Sequence, residues 1–252
     1  MVSANNEKRA IVFVHGILGF SSLGIPGMKV YYFRALPPKL SDFSCPIYFP
    51  ALPSTGRVEE RAQALAHFLE GIDAERIDLI GHSMGGLDSR YVISRLDPHR
   101  RIRSLTTLST PHCGSSLATV IQHSKTPIYV LLRLMCQPGL ADLTPESCAR
   151  FNEKIVDRPD VIYHSYACHR PLDEIPLIFQ HWAKVLQRCD GDNDSQVPVS
   201  SSAWGKFQGT LRADHLELIG WSFAFPSRRK VRPFDHIAFF RHLVKELLQR
   251  AG

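Results

Sequence analysis

Short apolar segments rich in β-branched residues alternate along this chain with segments that have the period of an amphipathic helix. The apolar segments are predicted strands at residues 10–16, 46–52, 76–81, 102–110 and 161–168. Helices are predicted over residues 57–72 and 84–96, and an amphipathic closing helix is predicted after residue 233. Strands that alternate with helices predict right-handed βαβ units. They therefore predict an α/β fold with a mostly parallel central sheet and helices on both faces.

Residues from about 115 to 157 interrupt this alternation. A very apolar amphipathic stretch comes first, and a second helical pattern follows it, with Thr144 in the position of a helix cap. We expect these residues to form a helical cap or lid inserted over the sheet. Plain core packing is the alternative explanation of the leucine-rich stripe. The 252 residues fit one domain, 1–252, with this insertion inside it.

The charge of the chain points to no nucleic-acid partner. The formal net charge is +6, but the basic residues are diffuse and accompany no recognised nucleic-acid-binding module. Attraction to an anionic lipid surface is the weaker alternative that such a charge leaves open. No apolar run approaches the length of a membrane span, and the start of the sequence has no apolar core of a signal peptide. These two features favour an intracellular protein.

Six cysteines are scattered along the chain without any paired spacing. This pattern favours reduced thiols over a disulfide framework or a zinc site, although one disulfide stays open.

A serine follows the predicted strand at residues 76–81 and precedes a predicted helix. Gly81, His82, Ser83, Met84 and Gly85 form a G-x-S-x-G pattern, which is common by chance as a bare pattern. Here a buried strand precedes it and a helix follows it, which is the context that a nucleophile requires, and an ordinary strand-to-helix turn is the alternative. In that context glycine-sized neighbours permit a sharp, strained turn that holds the serine hydroxyl above the sheet edge. Gly81, His82 and Gly85 are therefore predicted to form the elbow that carries Ser83 as a nucleophile.

A second turn, upstream, ends the first predicted strand at His15 and Gly16. A nucleophilic serine needs hydrogen-bond donors for the oxyanion that its attack creates. The backbone N–H groups of Ile17 and Met84 are predicted to supply them. His15 itself is expected to brace this loop through hydrogen bonds to the backbone, rather than to take part in acid–base chemistry.

The serine also requires a histidine base and an acid that orients it, in the chain order serine, acid, histidine. A loop rich in turn-forming residues offers three aspartates, Asp190, Asp192 and Asp194. The base is either His215, in a loop before an apolar segment, or His236, where Asp235 forms the cap of the closing helix. From the residues alone, the choice among the aspartates stays open.

Four segments in this order resemble the α/β-hydrolase superfamily, and in particular its triacylglycerol lipase branch. They are VHGILGF at 14–20, LIGHSMGGLDSRYV at 79–92, LSTPHCGSSLA at 108–118, and the pair NDSQVPVSSSAWG and ADHLELIGW within 193–221. The resemblance implies a serine esterase with Ser83 as nucleophile, Asp194 as the acid and His215 as the base. It also implies that Pro111 and His112 brace the site.

Two positions depart from the pattern of that family. Ser195 stands where the family has a glycine after the acid. If the protein were inactive, misplacement of this loop would be the expected cause. Glu217 stands where secreted bacterial lipases of this branch have an aspartate that helps to bind calcium. The rest of that calcium site is not recognisable, so no metal and no cofactor are expected.

The expected function is a carboxylic ester hydrolase of lipid metabolism that acts on lipophilic acyl esters through an acyl-enzyme. Its expected partners are a lipid or other ester substrate, with transient contact to a membrane or lipid-droplet surface. Two alternatives remain: a noncatalytic hydrolase-fold protein that binds lipid or a partner, and an acyltransferase or thioesterase on the same scaffold.

Overall fold

A computed structural model of the chain describes residues 8–25, 28–223 and 232–250. Six strands form a parallel sheet in the order β4-β1-β5-β6-β7-β8. They are β1 (Arg9–Val14), β4 (Ile47–Tyr48), β5 (Arg76–His82), β6 (Ile102–Leu108), β7 (Ile162–Cys168) and β8 (Lys206–Leu211). Between β1 and β4, strands β2 (Ser22–Ile25) and β3 (Met28–Tyr31) pair antiparallel to each other. The predicted α/β-hydrolase architecture, with its mostly parallel sheet, is confirmed.

Helices cover both faces of this sheet. They are α1 (Leu36–Lys39), α2 (Val58–Glu70), α3 (Met84–Tyr91, continued by a π-helical turn at Val92–Leu96), α4 (Ser116–His123), α5 (Pro127–Cys136), α6 (Pro145–Lys154), α7 (Leu177–Cys189), α8 (Val199–Ser202) and α9 (His236–Gln249). Short 3₁₀ turns lie at Gly139–Leu143 and Glu217–Ile219. The predicted caps are present, because the side chain of Thr144 accepts from the Ser147 N–H and that of Asp235 from the Ala238 N–H.

Strand β1 shows why the predicted strands are apolar at every position. Val12 and Val14 point to one face, where they pack in a cluster with α2 and α3. Ile11 and Phe13 point to the other face and pack in a cluster that contains side chains of α1 and α9. A strand that is covered on both faces cannot alternate apolar and polar residues.

The helices α4, α5 and α6 fall inside the region predicted as a helical insertion. Leu117 and Leu140 from this region share a buried cluster with Met84 and Leu87 of α3. The insertion therefore packs over the start of α3, at the carboxyl edge of the sheet. Helix α7 joins the same cluster through Leu186 and lies outside the predicted boundaries of 115–157.

The predicted strand at residues 46–52 is much shorter than expected, since only Ile47 and Tyr48 pair with β1. Pro50 has no N–H to donate to a neighbouring strand. The Leu52 N–H donates instead to the His15 ring, at 3.0 Å. The chain therefore leaves the sheet early and supports the loop that follows β1.

Two further features concern the described residues as a whole. All six cysteines are free thiols, and Cys136, Cys148 and Cys168 are buried, as the favoured interpretation of their spacing expected. Within the described ranges, no helix combines the length and the apolar character that crossing a membrane requires.

Candidate active site

Ser83 lies in a strained turn between the end of β5 and the start of α3. Its backbone has φ 54° and ψ −130°, a conformation that residues other than glycine rarely adopt. A Cβ on Gly81 would lie 2.7 Å from the Cα of Gly86, and a Cβ on Gly85 would lie 2.4 Å from the Val14 carbonyl oxygen. The glycines predicted from the motif are therefore required by close backbone contacts. The result is a sharp turn at Ser83 between β5 and α3.

The loop after β1 is braced by His15 and lies directly against this elbow. The His15 Nδ1 is 2.8 Å from the Gly16 carbonyl oxygen, while its Nε2 accepts from the Leu52 N–H. Burial lowers the pKa of His15 to about 4, so the ring is neutral and Nδ1 carries the proton. A Cβ on Gly16 would lie only 2.7 Å from the Ser83 Cβ. His15 therefore has the bracing contacts expected of it.

Two backbone N–H groups near the serine, those of Ile17 and Met84, concern the oxyanion. In this loop, Leu18 donates to the Ser54 carbonyl and Gly19 donates to the Gly16 carbonyl. No acceptor for the Ile17 or Met84 N–H is found among the described residues. Met84 is the first residue of α3, where the N–H groups have no partner within the helix. These are the two donors predicted for an oxyanion.

Asp194 and His215 form a buried pair. The Asp194 Oδ2 and the His215 Nδ1 are 2.7 Å apart, and both side chains are almost wholly buried. The Asp194 Oδ1 accepts from the N–H groups of Gln196 and Val197, at 3.0 and 2.7 Å. The His215 N–H also donates to the Asp194 carbonyl, at 2.9 Å. The loop thus holds the carboxylate in one orientation.

The competing aspartates and histidine have other partners. Asp190 accepts from the N–H and the hydroxyl of Ser116, and the Asp192 side chain is 67% exposed and lies near His169. His236 is 2.9 Å from the Arg34 carbonyl oxygen through its Nε2. Of the candidates from the sequence, only Asp194 and His215 are brought together.

Ser195 adopts the backbone conformation that the glycine of the family pattern would permit. Its φ is 82°, in the left-handed region, and its N–H donates to the Asn193 Oδ1 at 2.9 Å. The buried Ser195 hydroxyl has no hydrogen-bond partner among the described residues. The loop still presents Asp194 to His215, so the substitution strains the turn without displacing the carboxylate.

Glu217, the second departure, is paired with a cation from the protein itself. Its two carboxylate oxygens accept from the Arg170 guanidinium at 2.7 and 2.8 Å, and they also accept from the N–H groups of Asp214 and Phe234. Across the described part of the chain, no cluster of three or more acidic, histidine or cysteine side chains could hold a metal ion. Glu217 therefore has a structural role here, fixing the segment that follows His215.

The segment around Pro111 and His112 supports the same edge of the sheet. The His112 Nε2 is 3.0 Å from the Thr107 hydroxyl oxygen, and the ring stacks on Trp204 with a centroid distance of 5.1 Å. Burial lowers the pKa of His112 well below its usual value, so it stays neutral. This residue has the bracing contacts that the resemblance implied.

Ser83 and His215 open onto one apolar cavity of about 370 Å³. Its walls come from the loop after β1, the inserted helices and α7. The apolar side chains that line it include Ile17, Leu117, Ile121, Leu140, Leu143 and Trp182. A cavity with this lining accommodates an apolar group beside the serine hydroxyl.

Tyr32 is a buried residue of the site that the sequence did not indicate. It lies outside the four motifs, in an aromatic run that carries no signal of a polar role. Its hydroxyl contacts the Gly16 N–H and the ring of His82, the residue that precedes Ser83.

Comparison with known proteins finds similarity to hydrolases in sequence. The model of the alpha/beta hydrolase family matches residues 11–206. Triacylglycerol lipase 2 of Saccharomyces cerevisiae is 32% identical over 207 residues, which cover 77% of this chain but only 64% of the yeast protein. A triacylglycerol lipase of Pseudomonas fragi is 30% identical over 255 residues, covering 96% of this chain and 79% of that protein.

Two solved structures share the fold across nearly the whole chain. A metagenomic carboxyl esterase superposes with a TM-score of 0.77 at 20% identity, covering 98% of this chain and 77% of the esterase. The Staphylococcus hyicus lipase superposes with a TM-score of 0.71 at 17% identity, covering 97% and 96% of the two chains. The yeast and Pseudomonas relatives are both named triacylglycerol lipases. The chain belongs to the alpha/beta hydrolase family.

Proposed function

We propose that this protein is a serine-dependent carboxylic ester hydrolase. The observation that carries the proposal is the 2.7 Å hydrogen bond between Asp194 and His215, at a cavity that Ser83 also lines. A serine in a strained turn, an imidazole and a buried carboxylate that orients it are the groups that acyl transfer requires.

In the proposed mechanism, the Ser83 Oγ attacks the ester carbonyl carbon while the His215 Nε2 takes the hydroxyl proton. The N–H groups of Ile17 and Met84 donate to the oxyanion that forms. His215 then gives its proton to the leaving alcohol, and the acyl-enzyme remains. A water molecule, deprotonated by His215, hydrolyses that ester and restores Ser83. Asp194 keeps the His215 Nδ1 protonated throughout, so that Nε2 can accept.

We infer that the acyl group is lipophilic. The cavity beside Ser83 is lined mainly by aliphatic and aromatic side chains, and about 25 cal/mol is gained for each Å² of apolar surface that an acyl chain buries there. The names of the yeast and Pseudomonas relatives, triacylglycerol lipases, support the same class of substrate.

Hydrolysis of p-nitrophenyl esters from acetate to palmitate, by the wild type and by Ser83→Ala, tests the proposal. We expect turnover that depends on Ser83 and rises with acyl length. A fluorophosphonate should label the wild type, and peptide mapping should find the label on Ser83. If neither serine-dependent turnover nor labelling occurs, the protein is a binding protein and the proposal is wrong. Transfer of the acyl group to an added alcohol in preference to water would instead identify an acyltransferase.

A further inference from the structure

A chain of three hydrogen bonds joins the loop after β1 to the loop of His215, through Tyr32 and His82. The Gly16 N–H lies 3.1 Å from the Tyr32 hydroxyl oxygen, and that oxygen lies 2.8 Å from the His82 Nδ1. On the other side of the ring, the His82 Nε2 lies 3.2 Å from the His215 carbonyl oxygen. Tyr32 and His82 are both buried.

The direction of these hydrogen bonds follows from the chemistry of the groups. A carbonyl oxygen only accepts, so the His82 Nε2 must carry a proton. Burial, reinforced by the neighbouring His215, lowers the pKa of His82 well below its usual value, so the ring is neutral and Nδ1 has no proton. The Tyr32 hydroxyl therefore donates to Nδ1 and accepts from the Gly16 N–H. Only one tautomer of His82 satisfies every group.

This chain of hydrogen bonds links the three parts of the site that the proposed reaction must keep aligned, namely the oxyanion loop, the nucleophile and the base. Gly16 directly precedes Ile17, one of the proposed oxyanion donors. His82 directly precedes Ser83, and the His82 and His215 rings are in contact, with centroids 4.6 Å apart. A single hydroxyl, on a strand-to-helix connection outside all the motifs, thus spans the oxyanion loop and the nucleophile elbow.

We propose that Tyr32 is a positioning residue for this reaction, because its hydroxyl joins the Gly16 N–H to the His82 ring and thereby aligns the oxyanion loop with Ser83 and His215. The inference rests on the proposed ester hydrolase function. Tyr32 also lines the cavity through its ring. Phenylalanine at this position would keep the ring and remove only the hydroxyl.

The experiment compares Tyr32→Phe with the wild type on a p-nitrophenyl ester, with active sites counted by fluorophosphonate titration. We expect kcat per titrated site to fall about 10- to 100-fold, the range that a small misalignment of reacting groups produces. KM should change less than about three-fold, because the apolar ring still lines the cavity. The matched control is Tyr129→Phe, which removes a buried tyrosine hydroxyl for which the described part of the chain supplies no hydrogen-bond partner. It should keep kcat.

Two further measurements separate positioning from a general structural role. The ¹⁵N NMR shifts of the His82 ring, assigned with a His82→Gln variant, should show protonated Nε2 and unprotonated, hydrogen-bonded Nδ1 in the wild type. In Tyr32→Phe the Nδ1 resonance should move toward that of an unprotonated nitrogen without a hydrogen bond. In addition, Tyr32→Phe combined with His82→Gln should be no slower than His82→Gln alone, since both changes break the same chain of hydrogen bonds.

The inference would be overturned by an Nδ1-protonated His82 in the wild type, by additive losses in the double variant, or by a Tyr32→Phe kcat within about two-fold of the wild type. It would also be overturned if activity fell only in proportion to titratable sites, because the hydroxyl would then act on folding alone. A wild type without Ser83-dependent turnover would instead refute the proposed function. The tautomer measurement reads the hydrogen bonds independently of activity.

Discussion

The Asp194 carboxylate accepts three hydrogen bonds, two from backbone N–H groups and one from His215. Asparagine at this position would keep only one of the two oxygens and replace the other with an NH₂ group. Its side chain could not accept from the two backbone N–H groups and from the imidazole in the same geometry. We therefore expect Asp194→Asn to lower kcat about 10⁴-fold, as the same change does in serine proteases. The measurement is kcat on a p-nitrophenyl ester, with circular dichroism to confirm folding.

Asp192→Asn is the matched control for this prediction. Asp192 lies in the same loop, but its side chain is 67% exposed and does not contact His215. The variant should keep nearly all of the activity. A large loss in Asp192→Asn with an active Asp194→Asn would reverse the assignment of the acid.

Ser195 offers a prediction of opposite sign, a gain in stability. Its left-handed backbone costs about 1 kcal/mol relative to glycine, and its buried, unpartnered hydroxyl costs about 1 kcal/mol more. The greater freedom of glycine in the unfolded chain offsets up to about 1 kcal/mol of this gain. We expect Ser195→Gly to raise the free energy of unfolding by about 1 kcal/mol in urea titrations, with activity retained.

The exposed Ser200 of α8 provides the comparison, because it has ordinary helical geometry. Ser200→Gly should lower the free energy of unfolding. If Ser195→Gly were inactive, the Ser195 side chain would have a role in holding the loop that its contacts do not indicate.

A site residue could be predicted when the residues that it depends on are its neighbours in the sequence. Ser83 is marked by glycines within three positions, and Asp194 lies in a loop dense in turn-forming residues. Tyr32 carries no such mark, because its partners lie 16 and 50 positions away and meet it only in the folded chain. The distances of a hydrogen-bond network depend on tertiary packing, which no local pattern encodes.

Helix α5 combines an apolar face that lines the cavity with an apolar face that is exposed. On α5, Leu132 and Cys136 line the cavity, while Ile128, Leu131, Leu134 and Met135 are exposed. We expect this outer face to contact the surface of aggregated lipid. Leu134→Glu should then lower turnover of an emulsified long-chain ester about 10-fold, since burial of one leucine side chain contributes about 1.5–3 kcal/mol. Turnover of a soluble butyrate ester should not change.

Val156→Glu is the control, because Val156 is exposed to a similar extent, 68% against 71% for Leu134. It lies between α6 and the amino end of β7 and does not line the cavity. An equal loss in both variants, or a loss on the soluble ester, would show that the α5 face does not contact lipid.

The helices that periodicity predicted have a buried apolar stripe, and the strands that it predicted are apolar on both faces. The closing helix α9 is an example, since Phe240, Val244 and Leu247 share the buried face. Strand β8 was not predicted. It is the edge strand of the sheet, and its first three residues are exposed, so the segment has no apolar run. Its place in the sheet comes from pairing with β7, which is a long-range contact.

The pH dependence of stability is a property of the whole molecule, because it sums over every buried titratable group. Burial lowers the pKa of four histidines: His15 and His164 to about 4, and His82 and His112 well below the usual value. In the unfolded chain each takes up a proton near pH 6.5, whereas in the folded chain it does not until the pH is much lower. These histidines therefore make the fold more stable as the pH rises from about 4 to 6.5.

Asp88 and Asp214 have the opposite effect, since burial raises the pKa of each to about 6. In the folded chain they keep a proton that the unfolded chain releases near pH 4, so their contribution to stability is lost as the pH rises toward 6. With four histidines against two carboxyls, stability should still rise with pH, by up to about 3 kcal/mol per pH unit near pH 5. Urea unfolding at a series of pH values measures this slope.

Asp214→Asn tests whether the buried carboxyls and the buried histidines have opposite effects on the pH dependence of stability. In the wild type the Asp214 Oδ1 accepts from the Leu216 and Glu217 N–H groups. The amide oxygen of asparagine can still accept from both. The variant has no carboxyl to protonate at this position, so one of the two groups that reduce the slope of stability against pH is removed. The slope of unfolding free energy near pH 5 should become steeper by about 1.4 kcal/mol per pH unit. An unchanged slope would mean that Asp214 is ionised at that pH, beside Glu217 and next to the proposed catalytic base.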